Sequence, residues 1–311
     1  MIEILDGKKT KKAIVTLAIG EKYLKKWEQN SLPSLLKYCK NHSLGLYVQT
    51  NPIDTNEPRK KPQWQKILLP AKLKESFPYI DEYCYLDTDI VANQFAKSIF
   101  DLNIADKLSL VSQFSNLPYD LNEILRRIAF YRNKFYSKTY PLDSSLFMGF
   151  EEIYKYQNLP TQEDYACTGV FMGFVEAHAE ILTDIYSKYD HTISTLTDGG
   201  DEPILNFEFQ NKFNINWIPY HYQSIWIYEM AYKYPFLYKD KVNTELINKC
   251  IENSIYSNTF LHFAGSWDES KMFENIKGIN FDSDLQLEFE KYKKIKVTGK
   301  PVGVTKPKNE F

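Results

Sequence analysis

Cysteine and glycine are both scarce in this 311-residue chain, at 4 and 12 residues. Cys39, Cys84, Cys167 and Cys250 lie far apart and form no Cys-x-x-Cys pair, which argues against a zinc ribbon or a thiol redox site. Reduced thiols in a cytosolic protein fit best. The glycines form neither a GxxxxGK[ST] loop nor a GxGxxG turn. Charge of one sign is not in excess: 38 basic residues face 40 acidic ones, a formal net charge of −2, so nothing general points to a nucleic acid partner. No apolar run approaches the roughly 20 residues that span a bilayer. Met1 to Lys12 is polar and charged, without the apolar core of a signal peptide. The expectation is a soluble cytoplasmic protein.

What the chain does have is 43% hydrophobic and 15% aromatic residues, enough to bury a large core. Aromatic faces suit sugars and bases, and equally suit ordinary packing. Ala13 to Ile19 is a continuous apolar, β-rich run, as in a strand buried on both faces. Helical stretches flank Pro33, and Leu44 to Gln49 reads as the next strand. A Pro- and Asn-rich loop, 51–62, leads to a helical segment around Trp64 to Leu73. Tyr83 to Leu86 is a third strand, stopping at Asp87. Strand and helix in alternation predict an α/β fold, a doubly wound, mostly parallel sheet with helices on both faces. Further strands are expected at Leu108 to Val111, Gly169 to Phe174 and Thr259 to Phe263.

Leu121, Ile124, Leu125 and Ile128 keep a helical period, and Arg126, Arg127 and Arg132 among them read mostly as a solvated face. His178 falls in the apolar stripe of another helix (Ile181, Leu182, Ile185) and reads as a core histidine. His42 and His191 read as structural too. Trp217 to Tyr238 is crowded with aromatics in no clean period, fitting an acceptor cleft or plain packing. One catalytic domain, 1–280, is expected, with halves of about 12–112 and 113–280, then a helical end and a basic tail in 281–311. Seven lysines from Lys291 to Lys308 face Glu310 alone. That tail reads as a solubilising end or as a peripheral contact with the inner face of an anionic membrane.

The chemistry centres on Asp87-Thr88-Asp89. In extended backbone, side chains at i and i+2 share a side, so both carboxylates can meet one ion. The strand before them places the pair at a carboxyl edge of the sheet, where open α/β sheets bind ligands. Carboxylates about 4 Å apart repel by roughly 1 kcal/mol in water and about 4 kcal/mol at an effective dielectric near 20, so a partly buried pair calls for a cation. His262 ends a strand and precedes Ala264-Gly265, where small residues permit a close backbone approach. Two carboxylates with one imidazole suit Mn2+, or Mg2+ in its place. Without a glycine-rich cradle, any diphosphate bound here would need a metal to neutralise it.

At these residues the sequence resembles the A-type, metal-dependent glycosyltransferase fold (GT-A), and in particular retaining glycosyltransferase families 8 and 34. Four pieces carry the resemblance in family order, between Ala13 and about Lys271. They are Trp64-Gln65-Lys66-Ile67, Tyr85-Leu86-Asp87-Thr88-Asp89-Ile90, Asp201-Glu202-Pro203-Ile204-Leu205-Asn206 and His262-Phe263-Ala264-Gly265. The resemblance implies that Asp87 contacts donor ribose and metal, that Asp89 grips the metal and that His262 completes the site. It implies that Gly265 approaches the diphosphate, that Ala18 and Tyr23 lie near the base and that Lys66 reaches donor phosphate or sugar. Asp201 and Glu202 would lie near the transferred sugar as the catalytic pair; without the resemblance they read as helix N-terminal acids favoured by the macrodipole. Asp268 stands where family 8 usually has a lysine, and Lys271 is the expected substitute one turn later. Glu202 and Pro203 replace the commoner Gln and Asp.

The implied function is transfer of a sugar from a nucleotide-diphosphate sugar, UDP-linked, to a glycan or glycolipid acceptor, with retention of anomeric configuration. A metal-dependent nucleotidyltransferase, a non-catalytic sugar-binding relative and a haloacid-dehalogenase-type phosphatase are the alternatives. The last resembles Asp-x-Asp-Gly-Thr/Val, whereas Ile90 and Val91 follow the pair here.

Overall fold

The computed structural model describes residues 1–56, 61–137, 145–190 and 200–279. His191 and the tail beyond Ile279 lie outside them. Strand β2 (Lys12–Leu17) shows how the fold is built. Successive side chains on a strand point to opposite faces, and here each face has its own core. Ala13, Val15 and Leu17 join one apolar cluster, whereas Ile14, followed by Ala18 just beyond the strand, joins the other. Both faces being covered explains why the run is apolar throughout rather than alternating.

β2 pairs in parallel with β3 (Gly45–Gln49) and with β4 (Glu82–Leu86). Beyond β4 come β7 (Ala166–Phe174), antiparallel to it, then β6 (Lys107–Ser112) and β8 (Asn214–Ile218). The seven-stranded order is β1-β3-β2-β4-β7-β6-β8. Only β1 (Ile2–Leu5) and β7 run against the other five, so the α/β, doubly wound, mostly parallel expectation holds. β1 is an edge strand lying within the segment read from sequence only as polar. None of its four residues is buried, and Ile2-Glu3-Ile4-Leu5 is too short a run to stand out before the charged residues that follow.

Helices α1 (Glu21–Asn30) and α2 (Leu32–His42) cover one face with Trp27, Leu35, Tyr38 and Cys39. The other face is covered by a 3-10 turn (Pro62–Leu68), α3 (Leu69–Ser76), α6 (Val175–Lys188) and α7 (Glu202–Lys212), through Trp64, Ile67, Leu73, Leu182 and Phe209. Each fully buried side chain of this kind contributes about 1.5–3 kcal/mol. The Trp64–Leu73 segment is two helical pieces rather than one. Pro70 has no N–H for an α-helical bond, and the ladder tightens to Leu69 N–H donating to Lys66 O before it resumes.

A second sheet, β5-β10-β9, is small: β5 (Ile90–Ala92), β10 (Phe260–His262) and β9 (Ser224–Ile225). The aromatic stretch 217–238 resolves into the end of β8, a 3-10 turn, β9, helix α8 (Trp226–Lys233) and another 3-10 turn. Five short pieces with different periods leave no single pattern in the sequence. Two more helices, α5 (Phe150–Tyr156) and α9 (Thr244–Ser257), complete this part of the chain. Among the described residues no helix is long and apolar enough to cross a membrane.

The expected helix at Leu121 is α4 (Leu121–Phe135), capped by the Asp120 carboxylate accepting from Glu123 N–H. Arg126 and Arg127 lie on its more open side. Arg132 does not, and here the solvated-face expectation fails. Its guanidinium is fully buried and donates two bonds to Glu269, at 2.9 and 3.0 Å, beside the Trp267 ring. The partner is 137 residues away, which no local pattern can announce. His178 is a core histidine as expected, 3.2 Å from the Tyr83 hydroxyl and packed over Gly173. Burial lowers its pKa to about 4. His42 sits edge-on to Tyr38 and bonds Ala96 O, a structural role.

Candidate metal centre and cleft

The acidic pair lies where the chain leaves the large sheet for the small one. β4 ends at Leu86 and β5 begins at Ile90. Between them Asp87-Thr88-Asp89 makes a turn closed by Ile90 N–H to Asp87 O at 3.3 Å. The carboxylates therefore converge through a turn, and not through the extended backbone assumed from the i, i+2 spacing. Ser31 Oγ donates to Thr88 O and ties the turn to the start of α2. β10 then lies antiparallel to β5 with His262 opposite Ile90, and Phe263 N–H donates to Asp89 O. That register delivers the imidazole to the acids.

His262 Nε2 is 3.2 Å from an Asp89 oxygen and 3.7 Å from an Asp87 oxygen. One ligand atom from each of the three residues lies within 4.8 Å of the others, so Asp87, Asp89 and His262 could hold a metal ion. The imidazole is buried, whereas about a third of each carboxylate side chain faces solvent. Burial raises the Asp87 pKa; Lys66 opposes this and Asp89 adds to it. Burial works against a charged His262, yet Cys167 and Asp89 outweigh it and hold the imidazole pKa well above its ordinary value.

The floor of the centre is β7. Asp87 N–H donates to Gly169 O at 2.9 Å. A Cβ on Gly169 would stand 2.5 Å from the His262 ring and 2.8 Å from the Asp87 carboxylate, so only glycine leaves room for both. Tyr85 donates its hydroxyl to Asp87 and stacks on Phe171. Cys167 Sγ and Gln223 Nε2 both reach His262 Nδ1, at 3.5 and 3.1 Å.

Beside this floor sits a buried cation. Lys66 Nζ is 2.7 Å from Asp201 Oδ2 and donates to Thr168 Oγ1 at 2.7 Å. Burial alone would lower its pKa, but Asp201 and then Asp87 reverse the sign and keep the ammonium charged. Asp201 stands at the start of α7 but makes no side-chain cap there, so its partner is the lysine and not the helix. Glu202 follows, accepting from Gln113 Nε2 at 2.5 Å. Burial pushes its pKa up to about 7, opposed by Lys66 and assisted by Asp201. Asn206 locks α7 to β7, its amide exchanging bonds with both backbone groups of Ala166.

A cleft of about 600 Å3 opens here, lined by Cys167, Glu202, Gln113, Tyr165, Tyr228, Ala264, Gly265 and Trp267 among others. Gly265 has φ +82°, and a Cβ there would collide with the Trp267 ring. Both conditions demand glycine.

The structure thus groups Asp87, Asp89 and His262, sets Lys66 and Asp201 against Asp87, and lines the adjoining cleft with Glu202 and Gly265. Ala18 is buried at the same sheet edge, its N–H bonded to Gln49 O. Tyr23 projects from the first turn of α1, largely exposed. Lys271 is exposed and pairs with Asp268 at 2.7 Å. Gly169, Thr168, Cys167, Gln113 and Gln223 join the site without having been expected there from sequence patterns. A glycine inside an apolar strand is a signal for Gly169; the two glutamines carry none.

No family model matches the chain, and no curated protein matches it in sequence. Its structural neighbours are glycosyltransferases at low identity. A glycosyltransferase involved in glycosylation of the major capsid of PBCV-1 aligns at 12% identity and TM-score 0.49, over 86% of this chain and 99% of that one. The bifunctional glycosyltransferase WbbM in its apo form gives 12% and 0.46 over 90% of this chain, which spans 51% of WbbM. The galactosyltransferase LgtC, in complex with donor and acceptor sugar analogues, gives 13% and 0.45, over 89% of this chain and 99% of that one.

Proposed function

We propose that this chain is a metal-dependent glycosyltransferase that takes a sugar from a UDP-linked donor and passes it to a glycan or glycolipid. The observation that carries the proposal is the convergence of Asp87, Asp89 and His262 beside a cleft lined by Glu202 and by aromatic side chains, Tyr165, Tyr228 and Trp267 among them. The donor set fits a cation. Ligands about 2.1 Å from one octahedral ion stand about 3 Å apart, and the His262 contacts to Asp89 and Asp87 are 3.2 and 3.7 Å. Oxygen with imidazole nitrogen suits Mn2+, with Mg2+ as substitute. A cation held there would stabilise a diphosphate leaving group by several kcal/mol.

The chain's own residues supply the rest. Lys66, charged and fixed by Asp201 and Thr168, offers a buried positive end toward donor phosphate or sugar. Asp201 and Glu202 face the transferred sugar, where Glu202 near pH 7 can hold or release a proton. Gly265 lets the backbone approach the diphosphate. Ala18 and Tyr23 lie toward the base, and Lys271 is the more distant phosphate contact. The division of labour is a donor half, 12–112, and an acceptor half, 113–280. Transfer proceeds on one face of the sugar with retention; product anomer determination by NMR checks this, and an inverted product overturns it.

The decisive experiment is thermal stabilisation by nucleoside diphosphates and nucleotide sugars, with and without Mn2+. Binding at a hundredfold excess over Kd adds about 2.7 kcal/mol. Stabilisation by a UDP-sugar only when Mn2+ is present is the expected result. No stabilisation by any nucleotide sugar, or pyrophosphate release from a nucleoside triphosphate, removes the proposal.

A further inference from the structure

His262 has two ring nitrogens with different neighbours. Nε2 faces Asp89 and Asp87 at 3.2 and 3.7 Å, and Nδ1 faces Gln223 Nε2 at 3.1 Å. An amide NH2 against Nδ1 suits only a neutral ring with its proton on Nε2, whereas a charged ring, like a metal-bound one, has an N–H at Nδ1 that needs an acceptor. The Nε2-protonated neutral ring is incompatible with a cation on Nε2. A metal-bound neutral imidazole needs its lone pair at Nε2 and its proton at Nδ1, so an acceptor must stand where the NH2 now stands. Gln223 has that acceptor to hand. Its Oε1 is buried and has no hydrogen-bond partner among the described residues. Half a turn of the terminal amide exchanges O and NH2 at almost unchanged positions, so it meets no new clash; the NH2 then takes the place the oxygen held.

The backbone explains why this side chain is there. Gln223 immediately precedes β9, and β9 lies parallel to β10 with Ile225 opposite His262. The side chain is buried, and a Cβ on Gly169 would come within 3.0 Å of its amide, so the pocket shapes it from both sides. Cys167 Sγ, 3.5 Å from Nδ1, is the competing neighbour, but a thiol is a weak acceptor.

We propose that Gln223 is the positioning residue of the metal centre. Its amide turns to accept the Nδ1 proton of His262 and so sets the tautomer whose Nε2 can bind the cation. This rests on the metal-dependent reading above.

Mn2+ titration calorimetry on the full chain tests it, with the melting temperature of each metal-free variant measured alongside. Gln223→Met, similar in length but without the amide, is expected to weaken Mn2+ about tenfold to a hundredfold while the metal-free melting temperature holds. Gln223→Glu, which retains an acceptor, is expected to bind Mn2+ at least as tightly as the parent. Unchanged Mn2+ affinity in Gln223→Met overturns the inference, as does loss in Cys167→Ala without loss in Gln223→Met. A parent chain that binds no Mn2+ overturns the metal-dependent reading itself, a result distinct from either.

Discussion

Two clusters of buried charge in this molecule have opposite balances. Arg132 and Glu269 are one cation against one anion, fully enclosed, with both oxygens of the carboxylate engaged by the guanidinium. Around the acidic turn, Asp87, Asp89, Asp201 and Glu202 surround a single lysine, Lys66, and the imidazole of His262. Burial in a low dielectric is tolerated when charges cancel locally and is costly when they do not. The pair holds α4 to the chain beyond β10. The acid-rich cluster adjoins a cleft through Glu202 and could hold a cation through Asp87, Asp89 and His262. Local charge balance, not burial, separates a structural pair from a binding centre here.

The strongest way to break that contrast is Asp89→Ala. If the acid-rich cluster works through a cation, metal-dependent transfer should fall by about a thousandfold, in line with the several kcal/mol a metal supplies. In the metal-free protein the change removes a like charge beside Asp87 but also the Asp89 partner of His262, so its stability should move far less than its activity. Activity assays and metal-free melting curves read both.

Arg132→Met should do the reverse. Removing one partner of a fully buried pair costs about 3–5 kcal/mol, seen as a lower denaturation midpoint, while Mn2+ affinity of the remaining folded protein is unchanged. A further Glu269→Leu change should restore most of the loss. If the single variant unfolds no more easily than the parent, the pair is not structural.

Next in size is Gly169→Ala. The added Cβ would stand 2.5 Å from the His262 ring and 2.8 Å from an Asp87 oxygen. Overpacking of this kind costs about 1–3 kcal/mol, and Mn2+ affinity should fall with it. Retained affinity would mean that the floor yields more than these distances allow.

Glu202 sharpens the comparison through pH. Its pKa is pushed from 4.5 to about 7 in the folded chain, first by burial. Its contribution to stability is therefore complete below pH 4.5 and is lost as pH rises through 7. Glu202→Gln should make the metal-free protein more stable than the parent above pH 7, with the difference vanishing in acid. Equal stability at both ends, measured by chemical denaturation, removes the claim that this carboxyl is held protonated.

The smallest effect is expected at Lys271, whose exposed pair with Asp268 should be worth about 0.2–1 kcal/mol. Lys271→Ala leaves folding nearly unchanged. A rise in donor KM in that variant would support the phosphate contact proposed for it; an unchanged KM would return it to the surface.

Much of the fold and part of the site are legible in the residue order. β2, β3, β4 and β7 announce themselves because each is buried on both faces and reads as an apolar run. Asp87 and Asp89 stand out because two acids end such a run, and His262 because it ends another far downstream. The edge strand β1 is hard to read because Ile2-Glu3-Ile4-Leu5 is only four residues long and runs straight into a charged stretch. The aromatic stretch 217–238 is illegible because five elements divide it. Arg132 misleads because an arginine on a helix shows its face but not its partner.

Residue order alone determined which side chains exist to do chemistry and that a strand edge would present two of them. Their meeting was decided by the register of β5 on β10 and of β9 on β10, which sets His262 opposite Ile90 and brings in Gln223. The close packing of His262 and Asp87 over Gly169 and the pairing of Arg132 with Glu269 belong to the same level. Each depends on contacts between segments distant along the chain. Such contacts arise when the whole sheet packs, and no window of neighbouring residues contains them.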